Sequence, residues 1–140
     1  MNSQSRLFYK ESLPVFGPGA APASVLKRLL LPQGEIAQFY DDAEAIHYVA
    51  FIELKAGTAR GNHFHKQKRE WIYLISGELR LKTEHVETHE KDSAVLRAGD
   101  LARIEPGIAH ALEVSQSGHG IEFSPSRFDP ADTYRFALQD

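Results

Sequence analysis

Short apolar runs, separated by glycine, proline and charged residues, recur along the chain. Runs of this length with turn residues between them are typical of β-strands joined by tight turns. We expect residues 70–76 and 78–83 to form a hairpin that turns at Gly77, and His119, between two glycines, to lie in a solvated turn. The pattern therefore predicts an all-β domain with strands at residues 25–31, 35–40, 46–54, 70–76, 78–83, 94–96, 101–104, 109–114 and 121–123.

Alternation along the run at residues 70–75 predicts two different faces. If Glu70 points inward, Ile72 and Leu74 point inward with it, whereas Trp71, Tyr73 and Ile75 point the other way. An apolar surface of that size is costly to leave in water. We expect it to be buried in a homodimer interface, and the alternative is that the N-terminal segment folds back over it.

The two ends of the chain differ in pattern from its centre. Residues 1–24 combine a polar stretch with three prolines and two glycines, which indicates an arm and an extended connection. Residues 25–124 hold the predicted barrel strands. Residues 125–140 contain Asp129 and Pro130, a helix-start signal, and we expect this segment to pack on the barrel.

Composition limits the class of protein. At 140 residues the chain is long enough for one domain with its own core. It has no cysteine, shows no leader peptide and has no apolar run of membrane-spanning length, so we expect a cytoplasmic protein that does not bind membranes. A net charge of −3 provides no general attraction for nucleic acid.

Four residues offer metal-binding chemistry. His63 and His65 are two positions apart, so in a strand both imidazoles lie on one face. Glu70 begins the next apolar run, and His110 follows a Pro-Gly turn farther along the chain. Three imidazoles and a carboxylate suit one divalent iron, manganese, nickel, copper or zinc ion, and the spacing allows these side chains to converge.

The spacing of these residues resembles the two motifs of the cupin superfamily. The first motif is matched by Gly57, five residues, His63-x-His65, four residues, Glu70, six residues and Gly77. The second is matched more loosely over residues 99–110, which end in His110.

Two positions of the second motif differ from the family pattern. Glu105 stands where the motif has its first proline, and Val114 stands where it has asparagine. The resemblance implies a single-domain antiparallel barrel, the jelly roll or double-stranded β-helix, with extra N-terminal strands. It also implies a metal ion held inside by the residues that match the family's ligands: His63, His65, Glu70 and His110.

Residues 60–66 also resemble the cupin part of enzymes that modify nucleotide sugars. That resemblance implies a metal-dependent isomerase or epimerase acting on a small polar or anionic, sugar-like metabolite. A metal ion would polarise a carbonyl and acidify the neighbouring C–H bond. Two alternatives stay open: an iron-dependent dioxygenase, and a non-enzymatic cupin that binds or senses a small ligand.

Candidates for catalysis come from the strands around the first motif. His47 and Tyr48 could supply an acid or base. Arg60 and Arg103 could clamp a carboxylate or phosphate. Histidines 85 and 89 have helical spacing, but they lie in a charged stretch without apolar support, which favours surface residues over a second metal site.

Overall fold

The computed structural model describes residues 2–139, with side chains from Ser5 onward. These residues form strands and one short 3-10 helix, Pro130–Asp132. The strands are β1 Asn2–Gln4, β2 Phe8–Ser12, β3 Val15–Phe16, β4 Lys27–Leu31, β5 Gly34–Gln38, β6 Tyr48–Leu54, β7 Ala59–Phe64, β8 Glu70–His85, β9 Lys91–Arg97, β10 Asp100–Ile104, β11 Ile108–Ser124 and β12 Tyr134–Arg135. The all-β prediction is therefore confirmed, with the ends of several strands shifted by one or more residues.

One large sheet carries most of the chain. Its strands follow the order β1-β2-β10-β8-β11-β7-β12, β6 joins through β11, and β9 joins through β8. The long strands β8 and β11 pair with each other and connect all parts of this sheet. β3, β4 and β5 form a separate small sheet. Both ends of the described chain join the large sheet, through β2 and β12. The predicted boundaries of the barrel, at residues 24 and 124, stay a prediction.

The predicted hairpin at Gly77 is wrong. β8 runs through this glycine as one strand of sixteen residues. Gly77 has φ +91°, and its partner strand shifts register opposite it, between Val114 and His119. The glycine therefore bends the strand at an irregularity of the β8–β11 ladder instead of reversing the chain.

His119 also differs from its prediction. It lies within β11, which continues from Ile108 to Ser124, and it pairs with Glu53 of β6. Its imidazole is exposed and stacks on Phe51 at 5.3 Å between ring centroids. The glycines on either side allow close contact with the neighbouring strand: a Cβ at Gly120 would lie 3.1 Å from the Tyr73 carbonyl oxygen. The glycine signal thus indicated a bulged strand, not a turn.

Replacing Gly77 by alanine should destabilise the fold more than replacing Gly57. Both glycines have positive φ, at +91° and +84°. A Cβ at Gly77 would lie 2.6 Å from the Gln116 carbonyl oxygen, whereas one at Gly57 meets nothing within 4 Å. The additional contact should cost about 1–3 kcal/mol in the free energy of unfolding, measured by urea denaturation. Equal losses in the two variants would contradict this account of the bend.

The inner face of β8 builds the core as predicted. Ile72 and Leu74 are buried, together with Leu79 and Leu81 farther along the strand. These side chains fill the space between the two halves of the folded sheet. They give one end of the strand a dry environment in which Glu70 is also buried.

On the opposite face of β8, Trp71 and Tyr73 are covered by the same chain, so their predicted burial in a dimer interface is wrong, whereas Ile75 is 43% exposed. Leu13, Phe39 and Tyr40 from the N-terminal half pack in the cluster that contains Trp71 and Tyr73. Phe39 stacks on Tyr73 at 4.3 Å between ring centroids, with the planes nearly parallel. Homodimer formation itself stays a prediction, but the aromatic face of β8 no longer supports it.

Among the described residues, no helix is both long and apolar enough to cross a membrane.

Candidate metal centre

Three histidines meet where β7 and β11 pair. His63 lies opposite His110, and the register of the two strands shifts directly after His110. Gly61, at φ +95°, allows this close approach, because a Cβ there would lie 2.6 Å from the His110 carbonyl oxygen. His65 follows β7, and one nitrogen from each of the three rings lies within 4.8 Å of the others. The predicted convergence of these three side chains is therefore found.

Backbone carbonyls fix the orientation of two of these rings. His65 Nδ1 lies 2.7 Å from the Asp132 carbonyl oxygen, and His110 Nδ1 lies 3.1 Å from the Ile108 carbonyl oxygen. A carbonyl oxygen can only accept, so each Nδ1 carries the proton and donates it. The Nε2 atom of each neutral ring is then left with a free lone pair. Hydrogen bonds of this kind orient metal-binding histidines in proteins.

The two Nε2 atoms are buried, and neither has a hydrogen-bond partner among the described residues. A buried acceptor without a partner is costly. Two such lone pairs beside a third histidine fit a divalent metal ion of the transition series. The residues present therefore fit the metal ion that their sequence pattern indicates.

Glu70 approaches this group from the start of β8. Its Oε2 lies 3.1 Å from His110 Nε2, and its Oε1 lies 3.2 Å from Lys68 Nζ. Because His110 Nε2 has no hydrogen-bond partner, this contact sets a carboxylate oxygen against a nitrogen lone pair when the ring is neutral. Two acceptors at this distance repel each other, and a cation shared between them would turn the contact into an attraction.

Burial raises the pKa of the Glu70 carboxyl, but the hydrogen bond and charge of His110 in its protonated form, the hydrogen bond from Glu122 and the charge of Lys68 outweigh it. The pKa of Glu70 therefore lies well below its ordinary value. The carboxylate form, which is the form that binds metals, is favoured at neutral pH.

His63 is held neutral by its surroundings. Burial lowers the pKa of His63, and the charges that His110 and His65 would carry lower it further, to about 4. Its imidazole can therefore offer a lone pair at neutral pH without first losing a proton.

Glu122 also lies at this site, although the sequence analysis did not include it. It lies on β11 and shares a cavity of about 130 Å³ with Arg60, His63, Glu70 and His110. Burial raises the pKa of Glu122, and the charge and hydrogen bond of Glu70 raise it further, to about 8. Two neighbouring carboxyl groups with pKa values displaced in opposite directions hold one proton between them at neutral pH.

The sequence carries a weak signal for Glu122. It is a charged residue within the apolar triplet at residues 121–123. It lies beyond the irregular pairing of β11 at residues 114–120. Treating residues 121–123 as a separate short strand left the direction of this side chain open.

The chain matches the family model described as "Cupin domain" over residues 50–119. This protein is a cupin. The matched half includes all four predicted metal ligands, whereas Glu122 and Asp132 lie beyond it. A search of curated proteins finds no match.

Solved structures with the same fold include enzymes that act on nucleotide sugars. WlaRB, a TDP-quinovose 3,4-ketoisomerase of Campylobacter jejuni, is 16% identical, with 79% of this chain and 88% of that chain covered and a TM-score of 0.68. The 3,5-epimerase RmlC of Legionella pneumophila, solved with dTDP-4-keto-L-rhamnose, is 12% identical, with 96% and 75% covered and a TM-score of 0.72. At these identities the likeness shows the fold alone.

A third relative is much longer than this cupin. The capsular polysaccharide assembling protein CapF of Staphylococcus aureus is 24% identical, with 76% of this chain and 33% of that chain covered and a TM-score of 0.61. Another structure of CapF, with the inhibitor 3-isopropenyl-tropolone, is 27% identical, with 64% and 28% covered and a TM-score of 0.58. This chain thus spans a third or less of the length of CapF.

The four catalytic candidates of this cupin lie at different distances from the metal-binding group. Arg60 lines the cavity, although its Nη2 donates to the Glu53 carbonyl oxygen at 2.8 Å. Tyr48 does not line the cavity; its ring centroid lies 4.7 Å from Nζ of Lys68, which contacts Glu70. His47 is exposed and contacts the Pro125 carbonyl oxygen through Nδ1 at 2.8 Å.

Arg103 lies on the other face of the sheet. Its guanidinium carbon is 5.3 Å from the ring centroid of Trp71 and 5.4 Å from that of Tyr9. It packs with the covered aromatic face and is not among the residues that line the cavity of Glu70 and His110.

Proposed function

We propose that this cupin binds one divalent transition-metal ion through His63, His65 and His110, with Glu70 as a fourth ligand. The observation that carries this proposal is the pair of buried Nε2 atoms, on His65 and His110, that have no hydrogen-bond partner in the described chain. Their Nδ1 atoms already donate to carbonyl oxygens, so both lone pairs are free for an ion.

We further propose an enzyme that isomerises or epimerises a small polar or anionic keto compound, of the nucleotide-sugar type. A bound ion would supply Lewis acidity toward a carbonyl oxygen. The chain itself would supply proton transfer through Glu122, whose pKa, raised to about 8, keeps it protonated at neutral pH beside the ligands. Arg60 adds a cation to the wall of the same cavity. The structural likeness to a ketoisomerase and a 3,5-epimerase supports the choice of reaction.

The size of the cavity bears on the substrate. Its volume of about 130 Å³ lies below the ~300–1,000 Å³ typical of ligand pockets, so a whole nucleotide sugar does not fit inside it. We therefore expect the reacting ring to enter beside His63 and Glu122, with any nucleotide lying outside.

Metal analysis and proton exchange test this function together. Protein purified without added metal should contain about one divalent ion per chain. With dTDP-4-keto-L-rhamnose in D₂O, NMR should show deuterium replacing hydrogen next to the keto group, and His110→Ala should lose this exchange. Bound iron with substrate-dependent oxygen uptake would instead support a dioxygenase. Metal binding without turnover of either kind would support a binding or sensing cupin.

We also propose that the protein forms a homodimer, now through β6. Val49 and Phe51 on this strand are 66% and 63% exposed. In the described chain β6 pairs with β11 alone, so its second edge is open to another copy.

A further inference from the structure

The C-terminal segment, residues 129–138, is held against β7, which carries His63, and against His65 directly after it. It begins with the 3-10 helix Pro130–Asp132, which Asp129 caps by accepting from the Ala131 amide. Asp132, the last residue of that helix, is only 7% exposed. Aspartate is rarely buried to this degree unless its carboxylate is fully hydrogen-bonded.

The Asp132 carboxylate binds the loop between the two metal-binding strands. Its Oδ1 accepts from the Lys66 amide at 2.8 Å, and its Oδ2 accepts from the Lys68 amide at 3.0 Å. The Gln67 amide lies between them, at 3.3 Å from Oδ1 and 3.1 Å from Oδ2. Three consecutive amides therefore converge on one carboxylate, as in a backbone anion nest. These hydrogen bonds fix the chain between His65 and Glu70.

The backbone of the same residue orients a metal ligand. The Asp132 carbonyl oxygen accepts from His65 Nδ1 at 2.7 Å, which leaves His65 Nε2 directed at the metal-binding group. One residue thus sets the ring of His65 and the path of the following loop. The loop also carries Lys68, whose Nζ contacts the Glu70 carboxylate at 3.2 Å.

A second attachment lies on the other side of the histidine pair. Asn62, at φ +56°, accepts from the Phe136 amide through its carbonyl oxygen at 2.9 Å. Its side-chain oxygen accepts from the Leu138 amide at 3.2 Å. The ring of Phe64 stacks on Tyr134 at 5.2 Å between centroids. The C-terminal segment therefore holds residues 62–68 at both ends.

We propose that Asp132 is a positioning residue of the metal centre: it holds His65 and the loop to Glu70 in the geometry that binds the ion. This inference rests on the proposed metal binding. The residue lies outside residues 50–119, the part of the chain that matches the cupin domain. Metal affinity in this protein therefore depends on a segment beyond the matched domain.

The test compares Asp132→Asn with Asp129→Asn in the full chain. Asparagine at 132 keeps the shape and the backbone carbonyl but removes the charge that three amides share. Asparagine at 129 alters the cap of the same helix without touching residues 65–68. Two quantities are measured: the affinity for Zn²⁺, by competition with a chromophoric chelator, and amide hydrogen exchange of the metal-free proteins.

Asp132→Asn should weaken Zn²⁺ binding by about 10-fold to 100-fold, in the range found for residues that orient metal ligands. The amides of Lys66, Gln67 and Lys68 should exchange faster in this variant, while the amides of β8 stay protected. Asp129→Asn should leave both quantities near the wild-type values.

Unchanged Zn²⁺ affinity in Asp132→Asn, with wild-type binding intact, would overturn the inference. Failure of the wild type to bind Zn²⁺ or another divalent ion would overturn the proposed function instead. If Asp132→Asn does not fold, amide hydrogen exchange of the wild type decides. Exchange of amides 66–68 as fast as in an open loop would show that the Asp132 carboxylate does not hold them. Slow exchange of these amides would support the inference.

Discussion

Replacing His65 by alanine should lower the affinity for a divalent ion at least tenfold. The substitution removes one of three imidazole nitrogens that lie within 4.8 Å of one another. It also leaves the Asp132 carbonyl oxygen without the Nδ1 donor that now contacts it at 2.7 Å. Loss of a ligand is a larger change than loss of a residue that orients one, for which 10-fold to 100-fold effects are typical. Isothermal titration with Zn²⁺ or Mn²⁺ measures the affinity directly.

His89→Ala is the matched control for this experiment. His89 is exposed on the turn between β8 and β9, and its Nδ1 contacts Glu84 Oε2 at 2.8 Å. It is a histidine of the same chain, but it is not part of the group formed by His63, His65 and His110. Its removal should leave affinity and stoichiometry unchanged. Equal affinity in the two variants would show that the ion binds elsewhere.

The sequence alone located most of the histidine cluster because the alternation of side chains in an extended chain is a local property. His63 and His65 share a face whatever the rest of the chain does. The motif spacing then placed Glu70 and His110 in register, and the structure brings three histidines together with the Glu70 carboxylate beside one of them.

Features that depend on irregular pairing could not be read in the same way. Gly77 has the sequence signature of a turn, yet it serves as a bend because β11 shifts register opposite it. Glu122 lies beyond that irregular stretch and lines the cavity together with His110. The periodicity of 2 that identifies a strand is lost at a bulge, so every side chain beyond it can change face.

Contacts between residues far apart in the chain could not be predicted from the sequence either. Asp132 was recognised as part of a helix-start signal, but its partners lie 64 to 66 residues earlier in the chain. The cover over Trp71 also comes from a distant segment, which includes Leu13 and Phe39. Alternation correctly predicted that Trp71 and Tyr73 share a face, but it contains no information about what packs there.

The carboxyl pair in the cavity gives the metal-free protein a specific dependence on pH. The pKa of Glu122 rises in the folded state from the ordinary 4.5 to about 8, because burial and the charge of Glu70 disfavour ionisation. The folded state therefore holds more protons than the unfolded chain between these two values. Its stabilising contribution is complete below about pH 4.5 and is lost as pH rises through about 8.

The titration of His63 has the opposite effect on folding stability, over a lower pH range. Its pKa falls from 6.5 in the unfolded chain to about 4 in the folded state, through burial and the neighbouring histidines. Its contribution is present above about pH 6.5 and is lost as pH falls toward 4. The two effects oppose each other in the wild type, so a variant at Glu122 is needed to separate them.

Glu122→Gln should remove the pH-dependent contribution of Glu122 to stability while keeping its hydrogen bond to Glu70. A glutamine amide donates to the Glu70 carboxylate as the protonated acid does, and it does not ionise. In chelator, the unfolding free energy of the variant relative to wild type should rise by about 1.4 kcal/mol per pH unit at most between pH 5 and pH 8. Urea denaturation at several pH values measures this difference. Glu53→Gln, an exposed change on β6, should follow the wild-type curve, and a Glu122→Gln curve parallel to the wild type across this range would refute the shared proton.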